Sequence, residues 1–187
     1  MKAALLMFHG FNVWNVMPEH SYRIYYIPRA LGIPSQIYYH QDGYGWPPPV
    51  EMINRWFTKY LFEIENGVEN DAKAWIVRER DSQDQPTAYA DFPNPSAESV
   101  ILFPQKGGND ARILSSKRSS KEKESLIDNA NYSGEYLARA KSSNHRLLYT
   151  TPILSQDLHL SGTASIEIKM ASSKPAANLS VWLVALP

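Results

Sequence analysis

The spacing of apolar residues changes period along this chain, and the change falls near residue 70. In the first part, a continuous apolar run at 3–8 is closed by His9 and Gly10, which predicts a buried central strand of the parallel type. A helical stretch opens at Pro18 and runs to about residue 31, and a second apolar run at 36–39 predicts the next strand. Together these segments predict a β-loop-α-β unit, the parallel crossover.

A second helix is predicted after three consecutive prolines at 47–49. Apolar residues recur at helical spacing from Val50 to Leu61, and proline is tolerated at the start of a helix, where its missing N–H does no harm. Asn66 and Gly67 predict a stop, and residues 66–71 have the composition of a linker. We therefore expect two domains, one at 1–70 and one at 71–187.

Beyond residue 70 the apolar residues alternate with a period of two. Short strands are predicted at 74–78, 99–103, 147–151, 163–170 and 178–185. Two Ser-Gly pairs, at 133–134 and 161–162, predict turns. Short strands between turn-rich connections are typical of a β-sandwich, so the expected fold class is α/β followed by all-β. The first strand begins in the middle of a fold and the last would lack an edge partner, so the chain is expected to be a fragment.

The composition narrows the range of functions. Nineteen basic and nineteen acidic residues leave no net charge, so neither nucleic acid nor an anionic membrane is an expected partner. Cysteine is absent, which excludes disulfides, thiol catalysis and thiolate metal sites. The apolar start is too short for a signal peptide and no stretch is long enough to span a membrane, so the default expectation is a cytoplasmic location.

Several motifs resemble one enzyme family. The segments HGFNVWNV at 9–16, HQDGYGWPPP at 40–49, NRWF at 54–57 and NGVEN at 66–70 resemble the carboxyl part of the catalytic domain of Xaa-Pro dipeptidyl-peptidases, in the superfamily that includes cocaine esterase. Downstream, YTTPIL at 149–154, LSGT at 160–163 and NLSV at 178–181 resemble the start of the family's C-terminal jelly-roll domain. The resemblance implies the end of an α/β-hydrolase sheet (β-α-β-α) followed by a partial jelly-roll sandwich.

The same resemblance implies where a Ser-Asp-His triad would lie. The family's aspartate position is occupied by Val13 and its histidine position by Tyr44. Valine has no acceptor to orient an imidazole, and the tyrosine phenol, with a reference pKa of about 10, is a poor general base at neutral pH. No G-x-S-x-G nucleophile motif occurs in the chain. We therefore expect the chain to lack hydrolytic activity on its own.

Other polar residues offer weaker alternatives. His40 with Asp42 could form a base and its orienting acid, with His9 at the end of the neighbouring strand, although such residues more often satisfy loop backbone groups. The histidines show no metal-ligand spacing, and neither a metal nor a cofactor is expected.

Three function classes remain open. The chain is a fragment of a Xaa-Pro dipeptidyl-peptidase without its chemistry, or a chain that complements a separate N-terminal α/β-hydrolase piece, or a non-catalytic module that binds a peptide or glycan. For the last class Trp75 and Trp182 are the candidate aromatics, although both are expected to pack in strands. Exposed strand edges also predict self-association.

Overall fold

The computed structural model describes residues 3–13, 15–106, 112–118, 123–177 and 179–185. The chain divides into two compact units. The first comprises Met1–Ala97 with Leu160–Thr163, and the second comprises Glu98–His159 with Ala164–Pro187.

The first unit is built on a four-stranded sheet with the strand order β1-β2-β3-β4. The strands are β1 (Leu5–Gly10), β2 (Ser35–His40), β3 (Ala74–Ile76) and β4 (Thr87–Tyr89). β1, β2 and β3 are parallel, and β4 is antiparallel to β3. Helix α1 (Pro18–Ala30) connects β1 to β2 and packs on both, so the predicted crossover is present. β1, expected to be central, instead lies at the end of the described sheet.

The core of this unit surrounds β2. All six residues of β2 are buried, because the strand has a neighbour on each side and α1 packs on it. The fully buried ring of Tyr39 stacks on Phe11 at a centroid distance of 4.6 Å and contacts Phe92 at 5.1 Å. Tyr25 of α1 joins the same cluster with Ile37. Burial of these large rings contributes apolar surface that stabilises the sheet and its helix.

Helix α2 (Val50–Tyr60) begins where the proline run predicts but ends before Asn66. Trp56 is the buried residue of this helix, and Arg55 forms an ion pair with Asp71 at 2.9 Å. Asn66 Nδ2 donates to the carbonyl of Arg55 at 2.7 Å, and its Oδ1 accepts from the amide of Val68 at 3.1 Å, at the start of a 3₁₀ turn (Val68–Asn70). The NRWF and NGVEN motifs are thus tied together by hydrogen bonds and an ion pair.

The strand predicted at 74–78 belongs to the first sheet rather than to a second, all-β domain. Ala74 and Ile76 lie in the core beside Ile37 and Tyr39, and β3 pairs in parallel with β2. A period-two pattern predicts a strand but not its neighbour, which explains the difference. The expected division at residue 70 stays a prediction, and the compact units divide between Ala97 and Glu98.

The second unit contains a three-stranded sheet in the order β5-β6-β7. Its strands are β5 (Phe103–Gln105), β6 (Arg112–Ser115) and β7 (Tyr149–Thr150), with β5 antiparallel and β7 parallel to β6. A short helix, α3 (Gly134–Arg139), was not predicted: Ser133, expected in a turn, accepts the Tyr136 amide at 3.1 Å and caps this helix.

Two predicted strands are wrong in the part of the second unit that the structure describes. Residues 163–170, and 179–185 of the segment at 178–185, form no strand, and their side chains are mostly exposed; residue 178 lies outside the described residues. The strands predicted at 99–103 and 147–151 are present only as the shorter β5 and β7. Alternation alone does not make a strand, because a strand requires a neighbour to satisfy its backbone.

Candidate functional site

The loops that follow β1 and β2 lie side by side at one edge of the first sheet. The Phe11 amide donates to the carbonyl of His40 at 2.8 Å, and the Asn12 amide donates to the carbonyl of Asp42 at 3.3 Å. The Asn12 side chain also donates to the carbonyl of Gln41. The carboxyl ends of parallel strands meet at one edge of a sheet, where α/β proteins place their ligands. All five candidate catalytic residues identified in the sequence lie at this edge or in its two loops.

Val13 and Tyr44, the positions that the family resemblance assigns to the acid and the base, lie in different environments. Val13 is buried, with 5% of its surface exposed, and its side chain carries no polar atom. Tyr44 is 67% exposed, and its hydroxyl donates to Asn15 Oδ1 in the loop after β1. The contact between Tyr44 and Asn15 connects the two loops through neutral groups. It provides no proton acceptor of the strength of an imidazole.

His40 is buried, and its ring is held by the loop backbone. The Asp42 amide donates to His40 Nδ1 at 3.2 Å, so Nδ1 is an acceptor and the ring is neutral with its proton on Nε2. Burial lowers the pKa of His40; the Asp42 charge opposes this effect and His9 adds to it. The Asp42 carboxylate accepts a hydrogen bond from the side chain of Gln83. His40 and Asp42 therefore meet through a backbone amide rather than through a carboxylate–imidazole hydrogen bond.

His9 is hydrogen-bonded through both ring nitrogens. Its Nε2 contacts the carbonyl of Val16 at 3.0 Å, which can only accept, so Nε2 is the donor and Nδ1 the acceptor. The hydroxyl of Ser21 then donates to Nδ1 at 2.7 Å. Sequence reasoning missed this serine, and the available signal was its placement one turn before Tyr25 on the buried face of α1. Ser21 is 5% exposed, so the contact fastens α1 to β1 instead of presenting a nucleophile.

The described residues contain neither a cluster of metal-ligand side chains nor a membrane-spanning helix. Within the described ranges, no three histidine, aspartate or glutamate side chains come close enough together to hold a metal ion. None of the helices in this part of the chain has the length and apolar character needed to cross a bilayer.

The lowered pKa of His40 predicts a loss of stability at mildly acidic pH. The unfolded imidazole takes up a proton near pH 6.5 while the folded one does not, so the free energy of unfolding should fall as the pH drops below about 6.5 and level off below the folded pKa. In a His40→Gln variant this part of the pH dependence should disappear, whatever the change in overall stability. Urea unfolding of both proteins between pH 5 and pH 8 measures it, and equal slopes below pH 6.5 would contradict the assignment.

Comparison with known proteins now defines the class of this chain. The profile of the X-Pro dipeptidyl-peptidase C-terminal non-catalytic domain matches residues 66–186, well over half of the chain. The chain belongs to the Xaa-Pro dipeptidyl-peptidase family, as its motifs indicated.

Individual relatives give the extent of the match. A putative Xaa-Pro dipeptidyl-peptidase of Rhodopirellula baltica is 50% identical over 188 residues, which cover all of this chain and 30% of that protein. A putative Xaa-Pro dipeptidyl-peptidase of Bacillus anthracis is 27% identical over 98% of this chain and 31% of its own length. The Xaa-Pro dipeptidyl-peptidase of Lacticaseibacillus rhamnosus is 27% identical over all of this chain and 25% of its own length. The chain thus spans about a third or less of these relatives.

A solved structure was also matched. A CocE/NonD family hydrolase from Staphylococcus aureus aligns with 64% of this chain and 22% of its own chain, at 19% sequence identity and a TM-score of 0.49.

Proposed function

We propose that this chain is the C-terminal part of a Xaa-Pro dipeptidyl-peptidase and that it does not catalyse the family's reaction alone. That reaction is the serine-dependent release of N-terminal X-Pro dipeptides through an acyl-enzyme intermediate. The names of the curated relatives and the match to the family's C-terminal domain support the assignment. The proposed lack of activity depends on the residues at the edge of the first sheet.

The observation that carries the proposal is the pair of side chains at the two triad positions. A histidine base needs an acceptor to orient its ring and to stabilise the imidazolium that forms. The buried Val13 side chain offers none, and the exposed Tyr44 hydroxyl donates to Asn15. His40 cannot replace the base without losing its hydrogen bond from the Asp42 amide. In a triad the serine attacks the substrate, the histidine takes the serine's proton, and the aspartate stabilises the imidazolium that forms. Tyr44 and Val13, at the histidine and aspartate positions, can perform neither of the last two steps.

The family also implies a finer fold for the two units. We propose that the parallel strands β1 and β2 are the end of an α/β-hydrolase sheet, a placement supported by the β1-α1-β2 crossover. We propose further that the β5-β6-β7 sheet is part of a jelly-roll sandwich, which the match to the family's C-terminal domain supports.

Hydrolysis of Gly-Pro p-nitroanilide tests the proposed function. The purified chain and its Tyr44→Phe variant should both show no rate above buffer, while the full-length Xaa-Pro dipeptidyl-peptidase of Lacticaseibacillus rhamnosus serves as the positive control. Removal of a triad costs several orders of magnitude in kcat even where the oxyanion hole and substrate site remain. A rate that falls in Tyr44→Phe would show that tyrosine acts in catalysis. A rate that the variant leaves unchanged would place a catalytic group elsewhere, and either rate would overturn the proposal.

A second candidate function, a non-catalytic module that binds a peptide or glycan, is favoured by the description of the matched domain as non-catalytic. The two tryptophans give it less support. Trp75 lies in β3 with its Nε1 donating to the carbonyl of Ala72 at 3.0 Å, and the Trp182 ring lies against Gly134, where an added Cβ would approach it to 2.6 Å. Calorimetric titration of the chain with Gly-Pro peptides and with a soluble glucan tests this role. Binding of either ligand would support the binding module, and binding of neither would support an inert remnant.

A further inference from the structure

Asn66 and Gly67 form the only pair in the sequence in which glycine follows asparagine. In such a pair the glycine nitrogen can attack the carbonyl carbon of the asparagine side chain, because glycine has no Cβ to shield its own nitrogen. The attacking nitrogen loses its proton as the N–C bond closes a cyclic imide, and the side-chain nitrogen leaves as ammonia. Water then opens the imide to aspartate or isoaspartate. This reaction is one reason that asparagine counts among the thermolabile residues.

The turn that precedes Val68 favours glycine at position 67. Gly67 has a φ of 74°, in the left-handed region that residues with a Cβ rarely adopt, and it begins the 3₁₀ turn. A Cβ added to Gly67 would meet no atom within 4 Å, so the backbone angle rather than the available space favours glycine here. The fold therefore retains, for a conformational reason, the residue that makes Asn66 reactive.

Both polar atoms of the Asn66 side chain are held in the folded chain. Its Nδ2 donates to the carbonyl of Arg55 at 2.7 Å, and its Oδ1 accepts from the amide of Val68 at 3.1 Å. The backbone carbonyl of Asn66 accepts from the Arg55 guanidinium at 3.2 Å. An amide held at both ends has little freedom to rotate into the orientation that an attacking nitrogen requires. Loss of Nδ2 as ammonia would also break the hydrogen bond to Arg55.

Further contacts keep this turn closed. Arg55 forms its ion pair with Asp71 at 2.9 Å, and Lys59 of α2 pairs with Glu65. The Val68 side chain is fully buried. Opening the turn therefore breaks more than the two hydrogen bonds of the Asn66 side chain, and the free energy of this local opening sets the fraction of molecules in which Asn66 is free to react.

We propose that Asn66 is a deamidation site, with water as the co-reactant, that the closed turn protects, and that the aspartate formed there hinders closure of the turn. When opening and closing are fast compared with imide formation, the rate in the native protein equals the rate in the open chain multiplied by the open fraction. Refolding does not restore the amide, so the modification records time spent open. No step involves the family's reaction, so this site is independent of the proposed function.

The product of the reaction does not match the contacts of the closed turn. An aspartate at position 66 carries an oxygen in place of Nδ2, which in the folded chain lies 2.7 Å from the carbonyl oxygen of Arg55. Two acceptors would then face each other, and the Arg55 carbonyl would lose its donor. The turn therefore closes less readily once the amide has been lost.

Peptide mass spectrometry of the purified full chain measures the reaction directly. The chain is kept in mildly alkaline buffer with and without denaturing guanidinium chloride, and each asparagine is scored for conversion to the acid over time. In denaturant Asn66 should react faster than every other asparagine, including Asn129, which precedes alanine. Without denaturant the Asn66 rate should fall at least about tenfold, because a turn held by several contacts is open in only a small fraction of molecules.

Matched variants separate the protection by the fold from the effect of the local sequence. Arg55→Ala removes a donor to the Asn66 carbonyl and the partner of Asp71. In native buffer the Asn66 rate of this variant should rise at least about threefold, while its rate in denaturant stays that of the wild type. The control Arg23→Ala removes an exposed ion pair on α1 and should leave both rates unchanged. Thermal melts check that each variant folds, and the wild-type ratio of the two rates tests the protection without any variant.

Asn66→Asp tests the effect of the product. Its equilibrium constant for unfolding, measured by urea titration, should be at least about fivefold larger than that of Asn70→Asp, because an unsatisfied acceptor is costly. Asn70 is an exposed residue of the same 3₁₀ turn, so this control adds the same charge close by.

Three results would overturn the proposal. One is an Asn66 rate in native buffer within about twofold of the rate in denaturant, since the open fraction would then not limit the reaction. Another is a folded Arg55→Ala protein that deamidates no faster than Arg23→Ala. The third is equal stability of Asn66→Asp and Asn70→Asp, which would show that the product fits the closed turn. None of these readouts is hydrolysis of an X-Pro substrate, so this proposal and the proposed function can fail separately.

Discussion

Replacing Gly10 with alanine should unfold the first unit or lower its free energy of unfolding by about 4 kcal/mol, above the roughly 1–3 kcal/mol that overpacking usually costs. A Cβ at this position would lie 2.1 Å from the carbonyl oxygen of Asp42 and 2.6 Å from that of Gly43. Both atoms belong to backbone, so no side-chain rotation relieves the overlap. The loops after β1 and β2 would have to separate, which would break the hydrogen bonds from Phe11 and Asn12 between them.

Urea unfolding followed by tryptophan fluorescence measures this effect. Four of the five tryptophans lie in the first 97 residues, so the signal reports mainly on the first unit. Gly43→Ala is the matched control, since a Cβ there would meet its nearest atom, the carbonyl oxygen of Asn12, at 3.8 Å. The control should lose less than about 1 kcal/mol. A Gly10→Ala protein with the wild-type midpoint would show that the loops do not approach each other this closely.

Replacing Asp91 with alanine should have the next largest effect, a loss of about 3 kcal/mol from the first unit. Asp91 accepts the hydroxyl of the fully buried Tyr25 at 2.5 Å and forms an ion pair with Arg29 at 2.9 Å. Burial, reinforced by this carboxylate, raises the pKa of Tyr25 well above its ordinary value, so the phenol stays a donor. Without Asp91 the buried hydroxyl loses its acceptor, and Arg29, whose Nε is already buried without a partner, loses its counter-charge.

Two further variants separate these contributions. Asp91→Asn keeps an acceptor for Tyr25 but removes the charge beside Arg29, so its loss should be intermediate. Glu19→Ala removes an exposed partner of Arg23 on the same helix and should cost less than about 0.5 kcal/mol, as exposed ion pairs usually do. Equal losses for Glu19→Ala and Asp91→Ala would mean that the Asp91 contacts contribute no more than a surface pair. The measurement is again urea unfolding by tryptophan fluorescence.

Sequence reasoning located the first unit's crossover because several local signals agreed there. The apolar runs, the proline at the start of α1 and the proline run before α2 each have a local physical cause. The sheet position of residues 74–78 could not be read in the same way, since pairing is decided by non-local contacts with β2. Alternation at 163–170 and 179–185 failed for a related reason, because none of the residues that the structure describes pairs with them as a neighbouring strand.

In the candidate site, too, some features could be predicted from the sequence and others depend on non-local contacts. The meeting of the two loops follows from parallel topology, so residues such as Val13 and Tyr44 could be assigned to one edge from the sequence. The contact between His9 and Ser21 could not, because it depends on which ring nitrogen faces α1. The role of Asp42 was also hidden: its amide, rather than its carboxylate, contacts His40. Cap residues such as Ser133 were within reach, since a serine followed by an acidic first turn is a known helix start.

The contact between Tyr25 and Asp91 also has a consequence during synthesis of the chain. The two residues are 66 positions apart, and at about 5–20 residues per second the ribosome needs roughly 3–13 s to add the acceptor after the tyrosine. Helix α1 therefore emerges long before the carboxylate that holds its buried face, and β3 and β4 also arrive late in this interval. During these seconds the Tyr25 flank of α1 is uncovered, so we expect the nascent chain to bind chaperones that recognise exposed apolar segments.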